Sequence, residues 1–126
     1  GELVSQYTVT HLPEMLSAKL GPILSSSSSP TVESEKIQQA LIDTFVEIDK
    51  TAPAEPSGGC TASIVLQLGQ KIYVANAGDS RSLIATYTKS TATVNIVYIT
   101  REDKPDLPEE RARVERMGGQ VYIPPP

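Results

Sequence analysis

The chain has 126 residues, with 11 Lys and Arg against 15 Asp and Glu and a formal net charge of −4. That length suits one domain with one core, and the acidic balance argues against nonspecific binding to nucleic acid or to an acidic membrane surface. The single cysteine excludes an intrachain disulfide and a thiolate metal cluster, and no apolar run approaches the ~20 residues that cross a bilayer.

Residues 2–20 predict a first helix. Leu3, Val4, Tyr7, His11, Leu12, Met15, Leu16 and Leu20 recur at three- and four-residue steps and form one apolar face. Pro13 removes an N–H and crowds the preceding turn, so the helix kinks there or a second segment begins there with Pro in its first turn. Gly21-Pro22 predicts the end. A helix with one apolar stripe has to bury it, and a sheet is the expected partner. Residues 25–29 are five consecutive serines. Such a run buries too little apolar surface to order itself, so residues 25–30 are expected to form a mobile serine-rich loop. A second helix is expected over residues 32–50, capped by Thr31, with Glu33 and Glu35 at the positive end of its dipole. Ile37, Leu41, Phe45 and Ile48 make its buried stripe, with Ala40 and Thr44 beside them. Residues 51–59 read as a linker into a sheet.

Four short apolar runs follow, at residues 63–68, 71–77, 82–87 and 94–99, each with the length and residue types of a strand. Gly69-Gln70 predicts a hairpin turn between the first two. Ile64, Leu66 and Leu68 alternate with Ser63, Val65 and Gln67, which gives one apolar face and one mixed face. Gly78-Asp79 is a turn of another kind, since it places a carboxylate between two apolar strands. Residues 88–93 are polar and read as a long hairpin loop. Asp106 then caps a third helix, with Glu109 completing a capping box. The helix runs through Arg111, Val114 and Met117, with Arg113 and Arg116 near its negative end, and Gly118-Gly119 stops it. Residues 120–123 look like the start of another strand. Helix, helix, antiparallel strands, helix is an α+β order and argues against a Rossmann-type sheet.

Asp79 is the leading chemical candidate. Its carboxylate suits a hard divalent cation or a metal-bound water, or it accepts backbone N–H groups in a tight turn and pairs with Arg81. By residue type alone the turn reading is the stronger. Cys60 has no base near it in sequence and reads as a packed small residue rather than a nucleophile. His11, the only histidine, falls on the apolar stripe of the first helix. Gly58-Gly59 and Gly118-Gly119 match no phosphate-binding or dinucleotide-binding loop, and the basic residues form no nucleic-acid stripe.

Three islands carry a resemblance. Ser57-Gly58-Gly59-Cys60-Thr61-Ala62, Ala75-Asn76-Ala77-Gly78-Asp79-Ser80-Arg81 and Thr100-Arg101-Glu102-Asp103-Lys104-Pro105 resemble, in order and spacing, motifs of the protein phosphatase 2C family of metal-dependent serine/threonine phosphatases. Glu109, Arg111 or Arg113, and Gly118-Gly119 match the helix and paired glycines that follow. The first island carries an extra or displaced glycine. The third has Glu102 where the family has aspartate and Asp103 where it has histidine, so the acid is kept and the imidazole is lost.

The resemblance implies part of an αββα sandwich in which the antiparallel strands are covered by helices. It implies hydrolysis of phosphoserine or phosphothreonine in a phosphoprotein substrate by a water activated by Mg²⁺ or Mn²⁺, with no phosphoenzyme. It places Asp79 at an accessory metal site. Gly58, Gly59, Thr61, Gly78, Ser80, Arg81, Glu102, Asp103, Lys104, Gly118 and Gly119 become structural motif residues, and no residue of this chain is assigned a catalytic role. The family's principal metal acids lie in Asp-Gly-His-Gly-Gly, Asp-Gly and Asp-Asn motifs, and none occurs here. The chain is therefore expected to be a single truncated domain, an internal piece of a catalytic domain about twice as long, inactive alone and binding metal weakly or not at all. A noncatalytic phosphatase-like interaction or regulatory module is the alternative. Missing strands would leave a sheet surface exposed, and a homodimer through that surface is expected. No nucleic acid and no membrane span are expected, and the setting is read as intracellular, cytoplasmic or mitochondrial.

Overall fold

The structure, a computed structural model, describes residues 1–53 and 58–124. Residues 54–57 of the expected linker lie outside the described residues. The arrangement is α+β, with three helices and two antiparallel two-stranded sheets, consistent with part of an αββα sandwich. The chain divides into two compact units.

The first unit comprises Gly1–Cys60 and Leu66–Ala75. It holds α1 (Glu2–Leu24) and α2 (Pro30–Thr51), which pack against each other. Helix α1 is continuous, with Pro13 and Pro22 inside it, so it neither breaks at Pro13 nor ends at Gly21-Pro22. The carbonyl that loses its donor to Pro13 belongs to Val9, a residue 76% exposed. The helix runs on to Leu24, and the serines then close it. Ser25 Oγ donates to the Gly21 carbonyl at 2.8 Å and Ser26 Oγ to the Ile23 carbonyl at 2.8 Å.

Helix α2 begins earlier than its hydrophobic pattern indicates. Ser29 is the N-cap, its Oγ accepting the Val32 N–H at 3.4 Å, and Pro30 stands in the first turn. Thr31 is inside the helix, not its cap. Three of the five serines thus satisfy backbone groups at helix ends.

Leu12, Leu16 and Leu20 of α1 and Ile37, Ala40, Leu41 and Ile48 of α2 form the buried core. Thr44 takes the centre of the α2 stripe, fully buried, with its hydroxyl on the Ala40 carbonyl at 2.7 Å. Phe45 stands at the margin of that stripe and is only half-buried, contrary to expectation. Lys19 pairs with Glu47 between the helices. The first turn of α2 also meets the sheet: Ser34 Oγ and Tyr73 Oη are 3.0 Å apart, and Lys71 Nζ donates to Ser34 Oγ at 2.8 Å.

Strands β1 (Ala62–Leu68) and β2 (Lys71–Ala77) are hydrogen-bonded neighbours. Gly69, at φ +61°, makes the turn that joins them. Ala62, Ile64, Leu66 and Leu68 are half-buried while the residues between them are exposed, the alternation read from the sequence.

The second unit comprises Thr61–Val65 and Asn76–Pro126. Its β3 (Leu83–Thr88) and β4 (Thr93–Ile99) pair antiparallel from Thr88↔Thr93 to Leu83↔Ile99. Ile84 faces Tyr98 but Ala85 faces Ile96, so Val97 is an extra residue and β4 bulges there. This register places Leu83, Ala85, Tyr87, Val94, Ile96 and Ile99 on one face. Its five large side chains are 45–67% exposed, which leaves an unpacked apolar surface.

Helix α3 (Pro108–Arg116) has Leu107 as N-cap and no side-chain cap. Asp106 does not cap it and Glu109 does not close a capping box, because Glu109 is drawn to Arg101 instead. The C-terminus does follow the glycine signal. Gly118 sits at φ +85°, its N–H on the Glu115 carbonyl at 3.0 Å, and the Gly119 N–H reaches Val114 O at 2.9 Å. Residues 120–123 form no strand, since no neighbouring strand among the described residues takes up their N–H and C=O groups. No helix of the described residues is long and apolar enough to cross a membrane.

Ile37→Ala, at a site 1% exposed, is expected to cost about 3 kcal/mol. Val65→Thr, on the exposed face of β1, is expected to cost less than about 0.5 kcal/mol. Urea unfolding followed by circular dichroism measures both, and equal costs would refute this assignment of the core.

Candidate functional site

The second unit brings two of the three sequence islands together at the Gly78-Asp79 turn, with Thr61 of the remaining island beside it. Gly78 is required twice over. Its φ is +96°, a conformation that side chains strain, and a Cβ there would lie 2.7 Å from Thr61 Cγ2. Thr61 Oγ1 is also 2.7 Å from Ser80 Oγ, so the same threonine braces both sides of the turn. Gly59 differs, because an added Cβ would meet nothing within 4 Å. Ser57, which opens the first island, lies outside the described residues.

Asn76 ties the turn to its neighbours. Its Nδ2 donates to the Gly78 carbonyl at 3.1 Å and to the Arg101 carbonyl at 3.4 Å, and its Oδ1 accepts from Ser63 Oγ. The Asp103 N–H donates to the Gly78 carbonyl at 3.1 Å, which sets residues 101–103 against the turn. Thr100, buried, closes the end of the β3–β4 ladder: its N–H donates to Ser82 O at 2.9 Å and its Oγ1 accepts the Ser82 N–H at 2.8 Å. Neither Asn76 nor Thr100 was singled out as a site residue. The available signal was an amide inside the apolar run Ile-Tyr-Val-Ala-Asn-Ala, where a polar side chain needs a partner.

The charges around the turn sort into pairs. Arg101 donates to Asp103 and Glu109, and more distantly to Glu110 at 3.5 Å. The hydrogen bond to Asp103 is the main cause that holds its guanidinium pKa above the ordinary value. Arg113 donates to Glu110 at 2.8 Å, and its pKa is raised chiefly by that bond. Lys104 Nζ lies 2.8 Å from Glu102 Oε1, so the lysine neutralises local charge. That hydrogen bond is the first cause that holds the Glu102 carboxyl below its usual range, with the charges of Lys104 and Arg81 adding to it. Lys104 is raised in turn by Glu102 first, and by the charges of Asp79 and Asp106.

Asp79 stands apart. Its side chain is exposed, and among the described residues it has no ion pair and no side-chain hydrogen bond, so it does not pair with Arg81. Among the described residues no three His, Cys, Asp or Glu side chains gather where one ion could sit. A cavity of about 330 Å³ lies beside the turn, lined by Gly78, Asp103, Glu110 and Arg113 among others. Its one guanidinium is bonded to Glu110 and its other charged walls are acidic, so it is no anion site. Cys60 is exposed rather than packed, with Thr8 Oγ1 3.9 Å from its sulfur. His11 lies against Tyr7, ring centroids 4.2 Å apart.

The family described as protein phosphatase 2C matches residues 2–123. The chain belongs to the protein phosphatase 2C family. Curated relatives agree. Probable protein phosphatase 2C 12 of Oryza sativa subsp. japonica is 33% identical over 77% of this chain and 26% of its own length. Probable protein phosphatase 2C 5 of Paramecium tetraurelia is 36% identical over 71% of this chain and 34% of its own length. Probable protein phosphatase 2C 41 of Arabidopsis thaliana is 32% identical over 97% of this chain and 37% of its own length. The chain thus spans between a quarter and two-fifths of these relatives. Within the 2C family frame, the turn, its threonine brace and the salt-bridged segment from β4 to α3 hold Asp79 exposed and without an ion pair among the described residues.

Gly78→Ala is expected to destabilise the protein by about 1–3 kcal/mol, from strain and the clash with Thr61. Gly59→Ala should change stability by no more than about 0.5 kcal/mol. Thermal unfolding of the two variants side by side checks this, and a harmless Gly78→Ala would sink the account of the turn.

Proposed function

We propose that this chain is the scaffold part of a metal-dependent protein serine/threonine phosphatase, with Asp79 at an accessory divalent-cation site. The observation that supports the reading is the contrast at the turn. Neighbouring Glu102 and Asp103 are neutralised by Lys104 and Arg101, while Asp79 is held on a braced turn without a partner among the described residues. Mg²⁺ and Mn²⁺ suit such a position, since they take carboxylate oxygens and keep several waters. Asp79 would supply one oxygen and the remaining motif residues the shape around it. When bound in this family, such ions lower the pKa of a water and stabilise charge on phosphoryl oxygens. The substrate class is a phosphoserine or phosphothreonine protein.

The 126-residue chain is expected to release no phosphate from a phosphothreonine peptide with MgCl₂ or MnCl₂, while the longer parent releases it. Metal-stimulated hydrolysis by the chain alone would overturn the scaffold reading. A parent that carries the acidic motifs yet hydrolyses nothing would overturn the enzyme reading. One observation favours a noncatalytic module as the second reading. Asp103 occupies the family's histidine position and is engaged by Arg101, so no imidazole is available there for proton transfer. Absence of those acidic motifs from the parent sequence would decide for it.

The apolar β3–β4 face is proposed to pair with a second copy when the chain stands alone. Light scattering between about 10 and 500 µM should show a dimer, and Ile96→Lys should shift it to monomer. A monomer throughout would refute the pairing.

A further inference from the structure

We infer that Ser29 is a phosphorylation site for a protein kinase that selects serine followed by proline, and that Lys36 and Lys71 hold the phosphate once it is attached.

The acceptor is set out by sequence and by geometry. Ser29-Pro30 is the one place in the chain where a serine or threonine precedes a proline. Ser29 is exposed, residues 27–29 belong to neither helix nor strand, and its backbone is extended at φ −64° and ψ 153°, as the following proline requires. A kinase cleft takes its acceptor as extended chain. The Ser29 hydroxyl is engaged only by the Val32 N–H, at 3.4 Å, which is long for such a bond. Opening the first turn of α2 to enter a cleft loses little more, since Pro30 has no N–H to give up there.

Two ammonium groups from different elements touch the residues on either side of Ser29. Lys36 Nζ, from α2, donates to Ser28 Oγ at 3.3 Å. Lys71 Nζ, from β2, donates to the Pro30 carbonyl at 3.3 Å and to Ser34 Oγ at 2.8 Å. Among the described residues neither lysine has an ion pair, so both hold neutral oxygens while carrying a full charge.

The transfer itself uses ATP. Ser29 Oγ forms a bond to the γ-phosphorus, the bond from that phosphorus to the bridging β,γ-oxygen breaks, ADP leaves, and the hydroxyl proton passes to a base of the kinase. The product carries a charge of about −1.5 to −2 and three acceptor oxygens. Glu33 and Glu35 lie in the first two turns of α2 and oppose that charge, so its fate depends on the lysines. Exchanging a serine hydroxyl or a carbonyl for a phosphate oxygen gives each ammonium a charge-assisted bond, and the positive end of the helix dipole acts in the same direction. The phosphate thereby fastens the start of α2 to β2. A phosphate left in solvent would do neither.

The test incubates the 126-residue chain with a purified proline-directed kinase and MgATP and maps the product by mass spectrometry. Ser29 is expected to be modified while Ser25–Ser28 are not, and Pro30→Ala should lose the modification. Thermal unfolding followed by circular dichroism should show the phosphorylated chain melting about 3 °C higher than the unmodified one. Lys36→Met with Lys71→Met should remove at least half of that rise, and 0.5 M NaCl should shrink it in the parent chain. No incorporation at Ser29, or incorporation that persists in Pro30→Ala, overturns the assignment of the site. A melting temperature that does not rise, or a rise indifferent to both the lysines and salt, overturns their role in holding the phosphate.

Discussion

No side chain larger than hydrogen fits between the Gly78 backbone and Thr61, and the second unit is arranged around that contact. A Cβ at residue 78 would stand 2.7 Å from a threonine methyl whose own hydroxyl is bonded to Ser80. The Gly78 carbonyl in turn collects two donors, Asn76 Nδ2 and the Asp103 N–H. One tight turn thereby links the end of β2 to the segment after β4. Asp79 follows the glycine directly, so its position is inherited from a backbone that has little freedom to shift. Rigidity of this kind is what a single carboxylate needs if it is to address an ion without help from neighbouring acids.

The two units owe their order to different forces. The first has a conventional core in which leucines of α1 meet Ile37, Leu41 and Ile48 of α2, and burial of apolar area dominates there. In the second, Thr100 is the only buried side chain among the described residues, and the apolar face of β3–β4 is open. Its ion pairs are exposed or half-buried, and surface pairs contribute about 0–1 kcal/mol each. They direct geometry more than they hold the unit together, so its stability leans on the glycine turn, the Schellman end of α3 and whatever comes to cover the open face.

Much of this was legible in the residues, and the failures share a cause. Period-two alternation in Ser63–Leu68 and the Gly78 and Gly118 turns were readable because each is a local rule that tertiary structure did not override. Helix ends were read less well. Pro13 and Pro22 sit inside α1 where Val9, whose carbonyl Pro13 leaves without a donor, is an exposed residue and serine hydroxyls finish the last turn, facts that a proline alone does not announce. Ser29 displaced Thr31 as cap because Pro30 is better placed in a first turn than before one. Glu109 left its capping role because Arg101, eight residues earlier, offered a full charge in place of a backbone N–H. The site followed the same pattern. Asp79 was visible as a carboxylate in a turn, whereas its isolation depends on which acid each cation chooses, and that choice is made in space.

Those choices give Asp103 a meaning beyond a lost imidazole. Four acids, Asp79, Glu102, Asp103 and Glu110, lie on segments joined at or next to the turn, with Arg101, Lys104 and Arg113 among them. A histidine at position 103 would have left the Arg101 guanidinium to Glu109 and Glu110 alone. The aspartate instead takes its Nε, an in-plane donor fixed two residues away, and adds a charge where the resembled family carries a neutral or titrating ring. Three of the cations take a nearby acid, Arg101 Asp103, Lys104 Glu102 and Arg113 Glu110, while Arg81 has no ion pair among the described residues. Asp79 is the remainder after this pairing. Its openness is therefore a property of the whole charge set as well as of the turn that holds it.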